Sequence, residues 1–174
     1  MKVIVSQKIE QICPEFVGAC VEADIVNTPY SEALIRRVLQ GKELYQRDTL
    51  VDLVNLASIA YSYSIGGFDA DKFVGDTLTL GIGRKDEPYE GIGRGILNIE
   101  GMPVYRDAEG GVGTPTSDHE RTKIELGTTH LLTLINGYDG NRETVEANAQ
   151  FIKELLERHA EGHNITVTAY GGHF

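Results

Sequence analysis

The middle of the chain, from Gly66 to Gly113, is rich in glycine, and this feature constrains the fold more than any other. The chain has 20 glycines in 174 residues, and many of them fall in this stretch. Glycine permits tight turns and close backbone contacts, but it weakens helices. The segments between these glycines are short and apolar, namely DTLTLGIG, ILNIEG and PVYRD. We therefore expect short strands here, with Glu100-Gly101 as a hairpin turn between ILNI and PVYR.

Outside this region the pattern changes to helices and further strands. The clearest helix is NRETVEANAQFIKELLERHA, in which apolar residues recur on one face. SEALIRRVLQG and LVDLVNLASIAYSYS also have helical spacing. Apolar runs predict strands at KVIV, FVGACVEADIV, KIEL, THLLTLI and ITVTAY. No repeat or linker interrupts this order, so we expect a single domain of α/β (α+β mixed) class over residues 1–174.

The chain is acidic, with 16 Lys and Arg against 26 Asp and Glu and a net charge of −10. Such a surface repels polyanions at long range, so tight non-specific binding to DNA or RNA is not expected. Four basic residues do lie close together in the sequence, and we interpret them as a charged helix face: Arg36, Arg37, Lys42 and Arg47.

Cysteine content and hydropathy indicate a cytoplasmic protein. Cys13 and Cys20 are too few for a disulfide framework, and we expect both to be reduced thiols. No apolar run approaches the length of a membrane span, and the N-terminal VIV is too short for the core of a signal peptide. We therefore expect no contact with a membrane.

Three patterns that resemble known chemical motifs are incomplete. GIGRKD, GIGRG and GGVG do not form G-x-G-x-x-G between a strand and a helix, so we expect no nucleotide cofactor. His159 and His163 have zinc-ligand spacing, but Gly162 is expected to end the helix between them, so we expect no metal. The run Ser117–His119 contains the residue types of a hydrolytic triad, whereas triad members normally come from distant segments.

Two polar features lie in apolar surroundings and predict a site. Asp52 and Asn55 lie three apart, on one face of an otherwise apolar helix. Burying such groups without partners costs roughly 2–7 kcal/mol, so they either brace a neighbouring loop or line a cavity. The stretches IGGFD and GTPTSD are polar, form turns and end in Asp69 and Asp118. If both stretches face Asp52 and Asn55, they form one small polar pocket.

Three stretches, taken in order, resemble the B-three/B-four domain of the phenylalanyl-tRNA synthetase β subunit, in the version that occurs as a free-standing protein. They are SEALIRRVLQGKELYQRDTLVDLVNLAS, SIGGFDADKFVGDTLTL and YEGIGRGILNIEGMPVYRDAEGGVGTPTSDHERTKIEL. The resemblance extends from Ser31 to about Leu134. It implies a three-layer β/β/α sandwich of two sheets and one helical layer. It also implies an editing site, which in the synthetase hydrolyses tyrosine wrongly attached to the phenylalanine tRNA.

The chain departs from the synthetase pattern within that site. In the synthetase a histidine lies just before the Phe-Asp pair that matches Phe68-Asp69, and Gly66 and Gly67 stand in that place here. The stretch from Gly113 to Asp118 is loosely similar to the glycine-rich loop of the editing pocket, but its sequence differs. Only NTPY remains of the segment that precedes SEALIRRVL in free-standing members. The resemblance therefore implies a pocket without the full set of editing residues.

We expect GTPTSDHERT to form the rim or floor of this pocket. Thr114, Thr116 and Ser117 would offer hydroxyl groups to a ligand. Asp118 would accept a hydrogen bond from an α-amino group or orient a water, and it is the candidate catalytic residue. Arg121 would brace Asp118 or bind a carboxylate or phosphate. The adjacent histidine, at position 119, is expected to face solvent.

Three functions are compatible with these residues. The first is an editing-like domain that binds the 3′ end of an aminoacyl-tRNA, or a free amino acid, and hydrolyses the ester; it is not a complete aminoacyl-tRNA ligase. Backbone N–H groups near Gly66, Gly67 and Gly113 would then stabilise the developing oxyanion. The second is a non-catalytic module for an amino-acid-like ligand, and the third is an interaction protein without a small ligand. The candidate ligand-binding residues are Asp52, Asn55, Gly66, Gly67, Asp69, Gly113, Thr114, Thr116, Ser117 and Arg121.

Overall fold

The computed structural model of the protein describes residues 1–27 and 48–172. The predicted helix SEALIRRVLQG and the basic group from Arg36 to Arg47 lie outside these residues. No helix in the described ranges combines the length and the apolar character needed to cross a membrane. Cys13 and Cys20 are both free thiols.

Two larger sheets contain most of the strands. The strands of the five-stranded sheet, in spatial order, are β1 (Lys2–Val5), β4 (Thr77–Ile82), β7 (Pro103–Arg106), β8 (Gly111–Thr114) and β9 (Ser117–Asp118). The strands of the four-stranded sheet are β11 (His163–Gly171), β2 (Val17–Asp24), β10 (His130–Gly137) and β3 (Ser64–Asp69). β1 and β4 are parallel, and the other neighbours in both sheets are antiparallel. β9 and β3 are therefore edge strands of different sheets.

The three described α-helices increase in length along the chain. They are α1 (Gln7–Ile12), α2 (Thr49–Tyr61) and α3 (Arg142–His159), with 3-10 helices at Ala70–Lys72 and Glu120–Thr122. Asp48 caps α2, because its side chain accepts a hydrogen bond from the Val51 N–H. A small hairpin of β5 (Glu90–Gly91) and β6 (Gly95–Ile96) completes the fold.

The four-stranded sheet is the middle layer of three. Side chains alternate along its strands, so each strand contributes to two cores. In β10, Leu131 and Ile135 pack against α2 and α3. Leu132 and Leu134 point to the opposite face and pack against the five-stranded sheet. The order helices, sheet, sheet confirms the predicted three-layer β/β/α sandwich.

Two predicted strand features are wrong. The segment KIEL forms no strand, and ILNI does not pair with PVYR as a hairpin. The turn at Glu100-Gly101 does exist, and Gly101 has a positive φ of 77°. However, the main chain of Gly83 occupies this turn: its N–H donates to Met102 O at 2.7 Å and its C=O accepts from the Gly101 N–H at 3.0 Å. β7 pairs instead with β4 and β8.

A buried hydroxyl group links the two large sheets. Tyr105 Oη, from β7, donates to Asn136 Oδ1 of β10 at 2.6 Å. The same oxygen lies 2.7 Å from Tyr170 Oη of β11. All three residues are buried. This network satisfies polar groups in the core between the sheets.

We expect Tyr105→Phe to lower the free energy of unfolding by about 1–3 kcal/mol, because Asn136 Oδ1 loses its buried donor. Urea denaturation measures this change. Tyr63→Phe is the matched control, since the Tyr63 hydroxyl bonds to Asp139 in an exposed position. An equal loss in both variants would contradict a special role for the buried network.

Candidate functional site

A cavity of about 760 Å³ lies where the two edge strands β3 and β9 meet. One face of α2, packed against β3, also lines the cavity, as does the turn of the β5–β6 hairpin. The lining residues come from four segments of the chain: Asp48, Val51, Val54, Asn55, Ile65, Gly67, Ile92, Gly93, Arg94, Thr116, Ser117, Asp118, Glu120, Lys123 and Ile124. A mixed set of aliphatic and charged side chains therefore surrounds one opening.

Asp118 joins the two edge strands at this cavity. Its Oδ2 atom accepts a hydrogen bond from the Gly67 N–H of β3 at 3.3 Å. A Cβ atom at Gly66 or Gly113 would lie 2.7 Å from the ring of Phe68, a distance that real Cβ contacts do not reach. The same two Cβ positions are 3.5 and 3.2 Å from Asp118 Oδ1. Glycine at both positions therefore makes room for the ring of Phe68, and at Gly113 it also relieves a tight contact with the Asp118 carboxylate.

The pKa of Asp118 is raised to about 7. Burial is the cause, because removing water from the carboxyl group disfavours its charged form. The hydrogen bond from the Gly67 N–H opposes this shift only in part. At neutral pH, both the protonated and the ionised form of Asp118 are therefore populated.

The loop before Asp118 is held by internal hydrogen bonds. Thr114 Oγ1 donates to Ser117 O at 2.9 Å and accepts from the Ser117 N–H at 3.2 Å. Tyr89, which is buried, donates from its hydroxyl to the same Ser117 carbonyl at 2.6 Å. Sequence reasoning missed Tyr89. The loop that carries Thr116 and Asp118 is thus held by Thr114 and Tyr89, two residues that do not line the cavity.

His119 does not face solvent as expected. Its ring is partly buried against Tyr89, with ring centroids 5.0 Å apart in an edge-to-face arrangement. Its Nδ1 atom accepts a hydrogen bond from the Arg121 N–H at 3.0 Å, which caps the 3-10 helix Glu120–Thr122. Burial and the neighbouring Arg121 charge lower the pKa of His119. The imidazole therefore stabilises the loop through these contacts instead of pointing into solvent.

The structure brings together about half of the residues predicted for the pocket. Five of them line the cavity: Asn55, Gly67, Thr116, Ser117 and Asp118. Three more, Gly66, Gly113 and Thr114, lie next to Asp118 or to its loop without lining the cavity. Asp52 is buried within α2 and is absent from the lining, so the expected pairing of Asp52 with Asn55 on one cavity wall is corrected.

Asp69 and Arg121 lie outside the cavity, contrary to expectation. Asp69 caps the 3-10 helix Ala70–Lys72 and accepts a hydrogen bond from Thr128 Oγ1 at 2.8 Å. Arg121 binds Asp107 through two hydrogen bonds of 3.0 Å each. Each group has a closer partner in a neighbouring loop, and these partners direct both side chains away from Asp118.

Several lining residues were not predicted. On α2, Val51 and Val54 continue the face that carries Asn55, and their helical spacing was a usable signal. Arg94 is exposed at the hairpin turn, and Lys123 forms an ion pair with Glu120. No local pattern indicated that these segments converge. Among the described residues, no group of three or more His, Cys, Asp or Glu side chains is placed to hold a metal ion.

Comparisons with known proteins agree on one type of domain. A family model described as the B3/4 domain matches residues 12–164. The fold is similar to a crystal structure of an N-terminal fragment of the phenylalanyl-tRNA synthetase β-subunit from Pyrococcus horikoshii, with a TM-score of 0.64 and 17% identity. That match covers 97% of this chain and 50% of the other, so this chain spans about half the length of that fragment. No curated protein matches the sequence.

Proposed function

Because the chain belongs to the B3/4 domain family, we propose that it binds the aminoacyl end of a tRNA, or the corresponding free amino acid, in the cavity around Asp118. The observation that carries this proposal is a partly buried carboxylate that opens into a cavity and is held there by a main-chain N–H. An aminoacyl group has an α-ammonium group, which is the natural partner of such a carboxylate. The fold shared with the synthetase fragment supports the same ligand class.

The charges and walls of the cavity suit the other parts of such a ligand. Val51, Val54 and Ile124 provide an aliphatic wall for an amino-acid side chain. Arg94 and Lys123 place cations beside the cavity, where they would bind a phosphate of the tRNA or the carboxylate of a free amino acid. A local site of this kind is needed, because the net charge of −10 gives no general attraction for RNA.

Ester hydrolysis is the second candidate function, and the pKa of Asp118 favours it. A general base works best when its pKa lies near the operating pH, and the pKa of Asp118 is about 7. In this reaction the Asp118 carboxylate takes a proton from water, and the water oxygen bonds to the ester carbonyl carbon. The bond from that carbon to the ribose oxygen then breaks, and this oxygen leaves with a proton. The products are a free amino acid and an uncharged tRNA.

A deacylation assay tests both functions. We would incubate the protein with tRNAs charged with a panel of amino acids, including tyrosine on the phenylalanine tRNA, and follow loss of the ester. We expect faster loss for at least one pair with wild type and at least about tenfold less acceleration with Asp118→Asn, which keeps the shape but removes a charge-assisted hydrogen bond. Asp86→Asn is the control, because Asp86 is exposed and its left-handed backbone also suits asparagine.

The other outcomes separate the remaining functions. Binding of an amino acid or aminoacyl-tRNA without ester loss, weakened by Asp118→Asn, would identify a non-catalytic binding module. Neither binding nor hydrolysis for any member of the panel would overturn the proposal and favour an interaction protein without a small ligand. Equal activity of Asp118→Asn and wild type would show that the reaction occurs elsewhere on the protein.

A further inference from the structure

β3 is an edge strand of the four-stranded sheet, and two of its residues, Ile65 and Gly67, line the cavity. In an antiparallel pair, successive residues direct their N–H and C=O groups alternately towards the partner strand and away from it. The Gly67 N–H reaches Asp118, so it points away from β10. Ile65 has the same alternation as Gly67 and also lines the cavity. Its N–H and C=O groups therefore also point away from β10, towards the open edge of the four-stranded sheet.

We propose that an aminoacyl ligand binds as one added residue of the four-stranded sheet, opposite Ile65. Its amino group donates to the Ile65 C=O, and its carbonyl oxygen accepts from the Ile65 N–H. These are the two bonds that opposing residues exchange in an antiparallel ladder. The inference rests on the proposed function, and it names the main-chain atoms that hold the ligand. An aminoacyl group supplies one donor and one acceptor with this spacing.

The direction of β3 agrees with the position of Asp118. The C=O of Ile65 lies on the Gly66 side of the residue, and its N–H lies on the Ser64 side. An antiparallel ligand therefore has its amino group towards Gly67 and Asp118. An ammonium group has three donors, so it can bind the Ile65 C=O and the Asp118 carboxylate together. Both contacts then act on the same end of the ligand.

In this geometry the Ile65 N–H, and not the Gly67 N–H, donates to the carbonyl oxygen of the ligand. The Gly67 N–H is engaged by Asp118, so it does not serve as the oxyanion donor expected from the sequence. The Ile65 N–H is the next outward donor along the same strand at a residue that lines the cavity. In ester hydrolysis it would face the oxygen on which negative charge develops.

Proline substitution tests this inference at a single N–H. Proline is tolerated on edge strands where the N–H points away from the sheet. Ile65→Pro removes the N–H and the side chain, whereas Ile65→Ala removes most of the side chain and keeps the N–H. With L-leucine methyl ester and L-tyrosine methyl ester as probes, calorimetry should give a dissociation constant about tenfold higher for Ile65→Pro than for Ile65→Ala.

Amide hydrogen exchange measured by NMR gives a second test that needs no variant. Saturating either ester should slow exchange of the Ile65 amide by about tenfold or more in the wild-type protein. The Gly66 amide is the internal control, because it points towards β10. If Ile65→Pro does not fold, this measurement still shows whether the Ile65 N–H binds the ligand.

The outcomes distinguish the two proposals. If neither ester binds the wild-type protein, the added-residue geometry is overturned, and the panel of charged tRNAs decides the proposed function separately. If an ester binds and Asp118→Asn weakens it, while exchange of the Ile65 amide is unchanged, only the added-residue geometry is overturned. Slower exchange at Ile65, with or without a folded Ile65→Pro variant, supports the geometry.

Discussion

Replacing Asp107 with alanine should lower the free energy of unfolding by about 3–5 kcal/mol, because it leaves the Arg121 guanidinium without its buried partner. The Asp107 side chain is only 1% exposed. It accepts two hydrogen bonds from Arg121 and one each from the N–H groups of Val74, Glu109 and Gly110. Its loss would therefore separate the β7–β8 turn from two neighbouring loops.

Urea denaturation at pH 7 measures this effect, and Glu109→Gln is the matched control. Glu109 lies 3.6 Å from the same guanidinium, but its side chain is 58% exposed. Exposed ion pairs contribute roughly 0–1 kcal/mol, so the control should be close to wild type. A small loss for Asp107→Ala, similar to that of Glu109→Gln, would contradict the structural role assigned to Asp107.

The Asp107 pair should also contribute to acid unfolding. Burial alone would raise the pKa of Asp107, but the Arg121 bonds and the three main-chain N–H groups outweigh burial and lower it. A lowered pKa means that the unfolded state binds protons more readily. The stabilisation is therefore present at pH values above the ordinary carboxyl range and is lost as the pH falls towards the pKa of the folded state.

Replacing Asp118 should have the opposite effect on stability from replacing Asp107: we expect Asp118→Asn to raise the free energy of unfolding at alkaline pH. The pKa of Asp118 is raised to about 7 from an ordinary value of 3.8. The folded state therefore binds the proton more tightly, and wild-type stability falls as the pH rises from about 4 to about 7. Asparagine is neutral throughout this range. At pH 8 the variant should exceed wild type by about 1–3 kcal/mol, a figure reduced from the full shift because Asp118 opens into the cavity.

Denaturation of both proteins at pH 5, 6, 7 and 8 measures this difference. The gap between Asp118→Asn and wild type should widen with pH and level off above about pH 7. Asp86→Asn, at an exposed position, should show no such widening. Parallel curves for Asp118→Asn and wild type would mean that the carboxyl group titrates normally. A variant that gains stability and loses ligand binding identifies a residue kept for function.

Many of the helices and strands could be predicted from the sequence, because the patterns that indicate them lie within short contiguous segments. The apolar face predicted for residues 141–160 corresponds to α3, and THLLTLI corresponds to β10. The polar turn residues of IGGFD and GTPTSD suggested that the two stretches share one pocket, and Asp118 does accept a hydrogen bond from the Gly67 N–H. The residue types in GTPTSD indicated a polar turn, and the fold supplied its neighbour.

The unpredicted parts depend on contacts between segments that are distant in the sequence. Ile92 and Arg94 reach the cavity only because the β5–β6 hairpin lies beside β9, where Gly91 bridges to His119. Asp69 and Arg121 were assigned to the site by their positions next to it. Their partners, Thr128 and Asp107, lie 59 and 14 residues away. A sequence pattern does not show which of several candidate partners a charged group selects.

The cavity lies between the terminal strands of two different sheets, and this position has a mechanical consequence. The hydrogen bond from the Gly67 N–H to Asp118 links β3 to β9, and a second bond joins Ser64 of β3 to the carbonyl of Pro115, in the turn before β9. A ligand that contacts Asp118 and Ile65 together would be a cross-link between the layers. Its binding free energy would then oppose separation of the two sheets at this edge. Ligand binding would therefore make local opening of the sandwich less favourable.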